Sequence, residues 1–285
     1  WEALPTFSPS TLQNAAVSQY IPSCAAFAVW GQATSAGELL VGHRLAYAED
    51  SSLGRYLLVV VRQPTQGNSF VSWGLMGMVG VWAGMNEEKI SAVLCSSPSV
   101  DLAPSGQLLP FVIRRVLERA GDLTEAVNTL IAANRLCGGN VVLGDGKAPK
   151  ATVVELSAHR QVIFEDTDEG LLARTDHFLD PELELMQQGV LLAQERFDSE
   201  MRLAKLQKLL KLNSAWIGVE KGLAFLGSEY GQSSADMGTD TVMPGARILQ
   251  CVLFYPDKLA LWVAQGDVLS AEHYANLGLA SVLLG

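Results

Sequence analysis

Cys24-Ala-Ala-Phe-Ala-Val-Trp30 begins abruptly after 23 residues that are loop-like and rich in Ser, Pro and Ala, and it ends at Gly31. It reads as a β-strand, and the fold is read outward from it. Glu38 to His43 is a second strand, with Thr34 to Gly37 as the hairpin turn. Tyr56 to Arg62, Ser69 to Trp73, Met78 to Ala83 and Ile90 to Cys95 continue the run, and Gly84-Met85-Asn86-Glu87 is the turn before the last. The hydrophobic period then changes. Gln107 to Ala120 and Leu123 to Asn134 carry apolar residues at helical spacing, and Asp122 with Glu125 forms a capping box for the second. Strands return at Asn140 to Leu143, Ala151 to Leu156 and Gln161 to Phe164, across turns at Asp145-Gly146 and Ala158-His159. Glu182 to Leu212 is a long helical pattern broken near Phe197, and Ser228 to Gly245 is a polar loop. Ile248 to Tyr255 and Leu259 to Ala264 form a last hairpin across Pro256-Asp257. Strands in runs, then helices in runs, make the chain α+β rather than a series of βαβ units. Tyr56 to Val61 and Ile248 to Phe254 are apolar on both faces, which places sheets between a second sheet and helices.

The bulk composition excludes several classes. The chain has 285 residues, 49% hydrophobic and 18% charged, enough to bury a large core. Its formal net charge is −10, and no Lys/Arg cluster offers a phosphate-binding surface, so nucleic acid is not an expected partner. The densest basic stretch, Arg202 to Lys211, reads as the solvated face of a helix. No apolar run reaches the roughly 18 to 20 residues of a membrane span. The chain opens at Trp1 with no Met and no signal-peptide pattern, so an upstream part is expected to have been removed or left out. The compartment, cytoplasmic or secreted, is not legible. Cys24, Cys95, Cys137 and Cys251 are too few and too dispersed for a disulfide scaffold. None is paired at zinc-ligand spacing, and His43, His159, His177 and His273 are equally scattered, so no metal site is expected.

Cys24 is the first candidate for chemistry. A thiol opening a strand after a Pro-Ser loop, with its amine freed by cleavage of the Ser23–Cys24 bond, holds nucleophile and base in one residue. The amine takes the thiol proton and the thiolate attacks an acyl carbon. The competing reading is a small buried cysteine at a strand end, where most free cysteines sit.

Six segments in order add a resemblance. Cys24-Ala-Ala-Phe-Ala-Val-Trp-Gly-Gln-Ala-Thr34, followed by Gly37 and Glu38-Leu-Leu-Val-Gly-His43, resembles the start of the mature subunit in the acyl-CoA:6-aminopenicillanate acyltransferase family. That family reads Cys-Ser/Thr-x-Phe-x-x-Trp-Gly-x-x-Thr, a Gly turn, then Gly-[Arg/His]-Asn-x-Asp. Gly84-Met-Asn-Glu87 is similar to its Gly-x-Asn-Glu turn. Cys137-Gly-Gly-Asn140 with Asp145-Gly-Lys147 resembles its Cys-Gly-x-Asn and Asp-Gly-Lys pair. Arg174-Thr-Asp-His-Phe-Leu179 resembles its Thr-Asn-His-Phe segment, and Ser199-Glu-Met-Arg202 with Leu206-Gln207 its Ser-x-x-Arg-x-x-x-Leu-Gln helix. The resemblance runs from about Cys24 to Gly266. It implies the four-layer αββα fold of the N-terminal-nucleophile hydrolases and a precursor that cuts itself before the nucleophile. It also implies amide hydrolysis or acyl transfer on an amide or N-acyl small molecule or peptide, or on an acyl-CoA-type substrate, with no metal or redox cofactor and with homo-oligomerisation open.

Two positions depart from the pattern. Where the family has Asn-x-Asp the chain has Arg44-Leu-Ala46, so the carboxylate expected to orient the nucleophile's amine is missing. Where the family has Asn before the His the chain has Asp176, which in its ionised form donates nothing to an oxyanion. Losing one oxyanion donor costs about 100- to 1000-fold in rate, so self-cleavage is expected to be slow or absent. The reading is a pro-segment or linker over residues 1–23 and one hydrolase-like domain over 24–285. Its nucleophile is Cys24, with Asp176 and His177 lining the pocket and Arg44 as substrate anchor or replacement for the missing carboxylate. His177 also reads as a packing residue, His43 as structural, Cys137 as buried and inert, and Asn140 as a loop holder. The alternative function is a catalytically impaired homologue serving as a binding or assembly subunit.

Overall fold

The computed structural model describes residues 23–48, 56–165, 169–227, 246–264 and 274–284. The expected pro-segment up to residue 22 and the whole of the expected polar loop lie outside them. The strands form two antiparallel sheets. In chain order they are β1 (Ser23–Gly31), β2 (Gly37–Ala48), β3 (Leu57–Arg62), β4 (Phe70–Leu75), β5 (Ala83–Asn86), β6 (Ile90–Ser96), β7 (Gly139–Asp145), β8 (Lys150–Leu156), β9 (Gln161–Phe164), β10 (Leu171–Arg174), β11 (Ala246–Tyr255), β12 (Ala260–Ala264) and β13 (Tyr274–Gly278). One sheet runs β10-β1-β2-β11-β12-β13 and the other β3-β4-β5-β6-β7-β8-β9. The helices are α1 (Leu109–Arg119), α2 (Leu123–Ile131), α3 (Pro181–Gln187), α4 (Ala193–Leu212), α5 (Val219–Gly227) and the short α6 (Ala280–Leu283).

Strand alternation builds the layers. Cys24, Ala26, Ala28 and Trp30 of β1 point between the sheets, where they meet Val93 and Cys95 of β6, Val142 of β7 and Val153 of β8. Ala25, Phe27 and Val29 point the other way, onto Leu203, Leu206 and Leu210 of α4 and Leu223, Phe225 and Leu226 of α5. The outer face of the second sheet, including Phe70, Ala92, Leu94, Val141 and Val154, is covered by Leu109, Val112, Ile113 and Val116 of α1 and by Ala126 and Leu130 of α2. Helix, sheet, sheet, helix is the four-layer α+β order expected.

Several elements differ from the sequence reading. Gly84 to Asn86, read as a turn, lie in β5. A side chain at Gly84 would meet Leu117 Cδ1 at 2.5 Å and Val71 O at 2.7 Å, so this glycine serves close packing rather than chain reversal. The reversal falls just after, where Lys89 adopts φ 63° and Asn86 Oδ1 accepts the Ile90 N–H at 2.9 Å. β3 was expected to be covered on both faces. It is instead an edge strand, with Leu58 and Val61 exposed. The helix break near Phe197 falls earlier, at residues 188–192, where Gly189 has φ 77°. Asp122 Oδ1 caps α2 through the Glu125 N–H at 2.8 Å, but Glu125 reaches back to Gly121 rather than to Asp122. Among the described residues no helix is long and apolar enough to cross a membrane.

Candidate functional site

The site gathers where β1 begins. Antiparallel pairing sets Cys24 opposite Leu45 of β2 on one side, and sets Ala26 opposite Arg174 of β10 on the other. Carried two residues further, the β10 register brings Asp176 level with Cys24. There the Cys24 N–H donates to both carboxylate oxygens of Asp176, each at 3.0 Å. The resemblance assigns the orienting carboxylate to position 46, but Ala46 on the β2 flank lacks one. In this chain a carboxylate reaches the same nitrogen from the β10 flank. Asp176 was expected to line the pocket as a failed oxyanion donor; its geometry is that of an acceptor on the Cys24 nitrogen.

Asp176 is held from behind. Arg202 Nη2 lies 2.6 Å from Asp176 Oδ2, with both side chains buried. Ser199, Arg202, Leu203, Leu206 and Leu210 share the buried stripe of α4, so helical spacing of three and four delivers the guanidinium and the Ser199 hydroxyl to one place. Arg202 is therefore not part of a solvated basic face as its sequence neighbourhood suggested, although Lys208 and Lys211 of that stretch are exposed. Burial pushes the Asp176 carboxyl up to about 6, against the pull of Arg202, the Cys24 N–H and Arg44.

The segment 175–178 that carries Asp176 is fixed at every residue. Asn140 Nδ2 donates to the carbonyls of Thr175 and His177, at 2.9 and 2.8 Å, which is the loop-holding role expected of it. Ser199 Oγ accepts the Asp176 N–H at 2.9 Å and stands 2.8 Å from His177 Nδ1. Gln187 Nε2 donates to Asp176 O, and Gln187 Oε1 accepts from Phe178 N–H. Glu155, fully buried, accepts from the N–H groups of Leu179 and Asp180 and from Arg174 Nε at 2.8 Å. His177 is thus held within this network, and burial lowers its pKa to about 4.

Arg44 takes no part beside the sulfur. It is 2% exposed, faces the helix layer and donates to Leu226 O at 3.3 Å, whereas Cys24 Sγ points between the sheets. Cys137 is half-buried with a free thiol whose pKa burial raises. His43, read as structural, is the neighbour that sequence reasoning missed. One position before Arg44, it faces the intersheet layer, with Nε2 3.8 Å from Cys24 Sγ and 3.0 Å from Leu94 O. Burial first, and then Arg44, hold its pKa at about 4 against the Leu94 hydrogen bond. The ring is neutral at pH 7, and its Nε2–H is given to Leu94 O.

The cysteines correct the sequence reading most. Cys24 and Cys95 form a disulfide across the two sheets, with Cα atoms 5.4 Å apart and a sequence separation of 71. Dispersal along the chain hid a pairing that stacks β1 on β6. Read from the sequence as the nucleophile, Cys24 in this form has its sulfur bonded and is 1% exposed. Cys24, Cys95 and His43 bring their donor atoms within 4.8 Å of one another, a clustering their scattered positions did not announce.

Two stacked antiparallel sheets between helix layers, with a cysteine opening an inner strand, are the architecture of the N-terminal-nucleophile hydrolases. Solved structures agree in fold. A Caenorhabditis elegans N-acylethanolamine-hydrolyzing acid amidase ortholog superposes with TM-score 0.58 at 16% identity, over 90% of this chain and all of that one. A variant of the conjugated bile acid hydrolase from Clostridium perfringens gives TM-score 0.62 at 12% identity, over 90% and 93%. The family model described as acyl-coenzyme A:6-aminopenicillanic acid acyl-transferase matches residues 40–223, and the chain belongs to that family. Among curated proteins, an uncharacterized protein of Archaeoglobus fulgidus is 27% identical over 267 residues, 86% of this chain and 43% of that protein. Protein dcd1B of Dictyostelium discoideum is 22% identical over 149 residues, 50% of this chain and 29% of the other. The chain thus spans less than half the length of either curated relative.

Proposed function

We propose that the chain is a cysteine-dependent N-terminal-nucleophile amidohydrolase or acyltransferase, acting on a small amide or N-acyl compound through Cys24. The observation that carries the reading is the pair of 3.0 Å contacts from Cys24 N to Asp176, itself clamped by Arg202. In the precursor, the reduced Cys24 thiol attacks the Ser23 carbonyl. The acyl group moves from nitrogen to sulfur, and water then hydrolyses the thioester, which separates the segment ending at Ser23 from a domain starting at Cys24. The freed amine stays on Asp176 and serves as base for the thiol. The thiolate attacks the substrate carbonyl and the amine returns its proton to the leaving nitrogen. Water (hydrolysis) or an acceptor amine (acyl transfer) then removes the acyl group from sulfur. His43 Nε2, whose proton is given to Leu94 O, stands 3.8 Å from Sγ as a neutral neighbour.

Reduced protein incubated with a panel of N-acyl amides tests this. The expected result is amide turnover with a thioester adduct mapped to Cys24, both abolished in Cys24→Ala. One observation favours the second reading, a binding or assembly subunit: the Cys24 sulfur is buried and already bonded. Reduced protein that forms no adduct with any acyl donor would establish that reading instead.

A further inference from the structure

We infer that the Cys24–Cys95 disulfide is a reversible lock on the nucleophile, with Cys95 as its resolving thiol; the inference rests on Cys24 being the nucleophile. The two cysteines sit on different sheets and face each other across the intersheet layer, so the bond consumes the sulfur that the chemistry requires. Both sulfurs also have a place in the reduced state. Leu94 O lies 3.7 Å from Cys24 Sγ and Arg174 O lies 3.7 Å from Cys95 Sγ, so each thiol proton meets a carbonyl acceptor already in position. Opening the bond therefore leaves no buried S–H without a partner. The same neighbours make the cluster a poor metal site. His43 Nε2 lies 3.0 Å from Leu94 O and gives it the ring proton, so no lone pair points at the sulfurs.

The chemistry is thiol–disulfide exchange with a dithiol. A thiolate of the dithiol attacks Cys95 Sγ, and the S–S electron pair leaves on Cys24 Sγ, which takes a proton. The second thiol of the reductant then resolves the mixed disulfide. Cys95 emerges as a thiol, the dithiol as its cyclic disulfide, and two electrons have passed to the protein. Exchange with an oxidised small-molecule disulfide runs the cycle backwards. Cys24 and Cys95 are 1% and 0% exposed, so reduction waits on local opening between β1 and β6. It is slower than reduction of an exposed disulfide.

The test follows thiols and function together in the whole chain. Protein equilibrated with oxidised glutathione is alkylated and mapped, then treated with dithiothreitol and mapped again. Cys24 and Cys95 are expected to be protected before reduction and labelled after it. Self-cleavage before Cys24 and N-acyl amide turnover are expected to rise at least tenfold on reduction. Cys95→Ser is expected to act at the reduced level with no reductant present. A Cys24 thiol that stays free in oxidised glutathione overturns the lock, as does a Cys95→Ser variant that still needs dithiothreitol. So does a stoichiometric zinc ion taken up by the reduced protein from added zinc alone. A disulfide that opens and closes as described, in a protein inert in both the reduced and the Cys95→Ser forms, overturns the nucleophile reading and with it the lock. The bond would then be a staple between sheets.

Discussion

The residue on which the site turns is Asp176. Two functions meet in its carboxylate: it accepts the Cys24 N–H and it neutralises the buried Arg202. Asp176→Asn keeps the shape but leaves Arg202 as a buried charge without its counter-ion, a change that typically costs about 3 to 5 kcal/mol. We expect the urea midpoint of this variant to fall accordingly. Its self-cleavage should slow at least tenfold relative to the reduced parent, equivalent to about 1.4 kcal/mol of barrier. Adding Ala46→Asp returns a carboxylate to the β2 flank, opposite Ser23, and should recover cleavage though not all of the stability. An Asp176→Asn variant that cleaves as fast as the parent, measured by chain size over days, would show that the contact to Cys24 N does not matter.

At the scale of elements, the strands were legible wherever apolar residues alternate onto two packed faces, as in β1, β6, β7 and β8, because the layers demand that pattern. Elements without it were missed. β10 has only four residues and β13 is half-exposed. In α5 two glycines hide a helix whose Gly222 allows a close approach to Leu253, 3.1 Å from where a Cβ would stand. The site was half legible for the same reason. Cys24 could be picked from its place at a strand start, but its partner Asp176 follows from a β10 register that only the fold reveals. Cys95 could not be found from spacing at all, and Arg202 was masked by lysines on the same helix. Packing between β1 and β2 gives an element-scale prediction. A Cβ at Gly42 would sit 2.2 Å from Phe27 Cε1, and the Phe27 ring is pinned edge-on to Phe225. Overpacking of this kind costs about 1 to 3 kcal/mol or more. Gly42→Ala should therefore lower the unfolding free energy by at least the lower figure, read as a fall in the denaturation midpoint, and an unchanged midpoint would mean that β1 and β2 can slide apart freely.

Among the described residues of the whole molecule, His43, His177, Asp176 and Glu155 are buried groups whose shifted pKa values couple stability to pH. His43 and His177 are held near 4, so each contributes stability that is complete above about 6.5 and lost as pH falls toward 4. Asp176, raised to about 6, acts the other way: its contribution is complete below about 4 and lost as pH rises through 6. Near pH 5 unfolding takes up about one proton on each histidine and releases about one from Asp176. The histidines make stability fall with acidification, and the releases from Asp176 and from Glu155, which burial also raises, oppose that slope. His177→Asn should flatten that slope in urea titrations between pH 4.5 and 6, and an undiminished slope would remove His177 from the account. The central claim, that Cys24 is a nucleophile held ready by Asp176 and blocked by Cys95, is tested most directly by intact mass. Protein carrying residues ahead of Cys24 is held for days with and without dithiothreitol, beside Cys24→Ala. A fragment beginning at Cys24 is expected only in the reduced parent, and none in the oxidised parent or in Cys24→Ala. A reduced parent that stays whole, or a Cys24→Ala chain that breaks at the same bond, would contradict it.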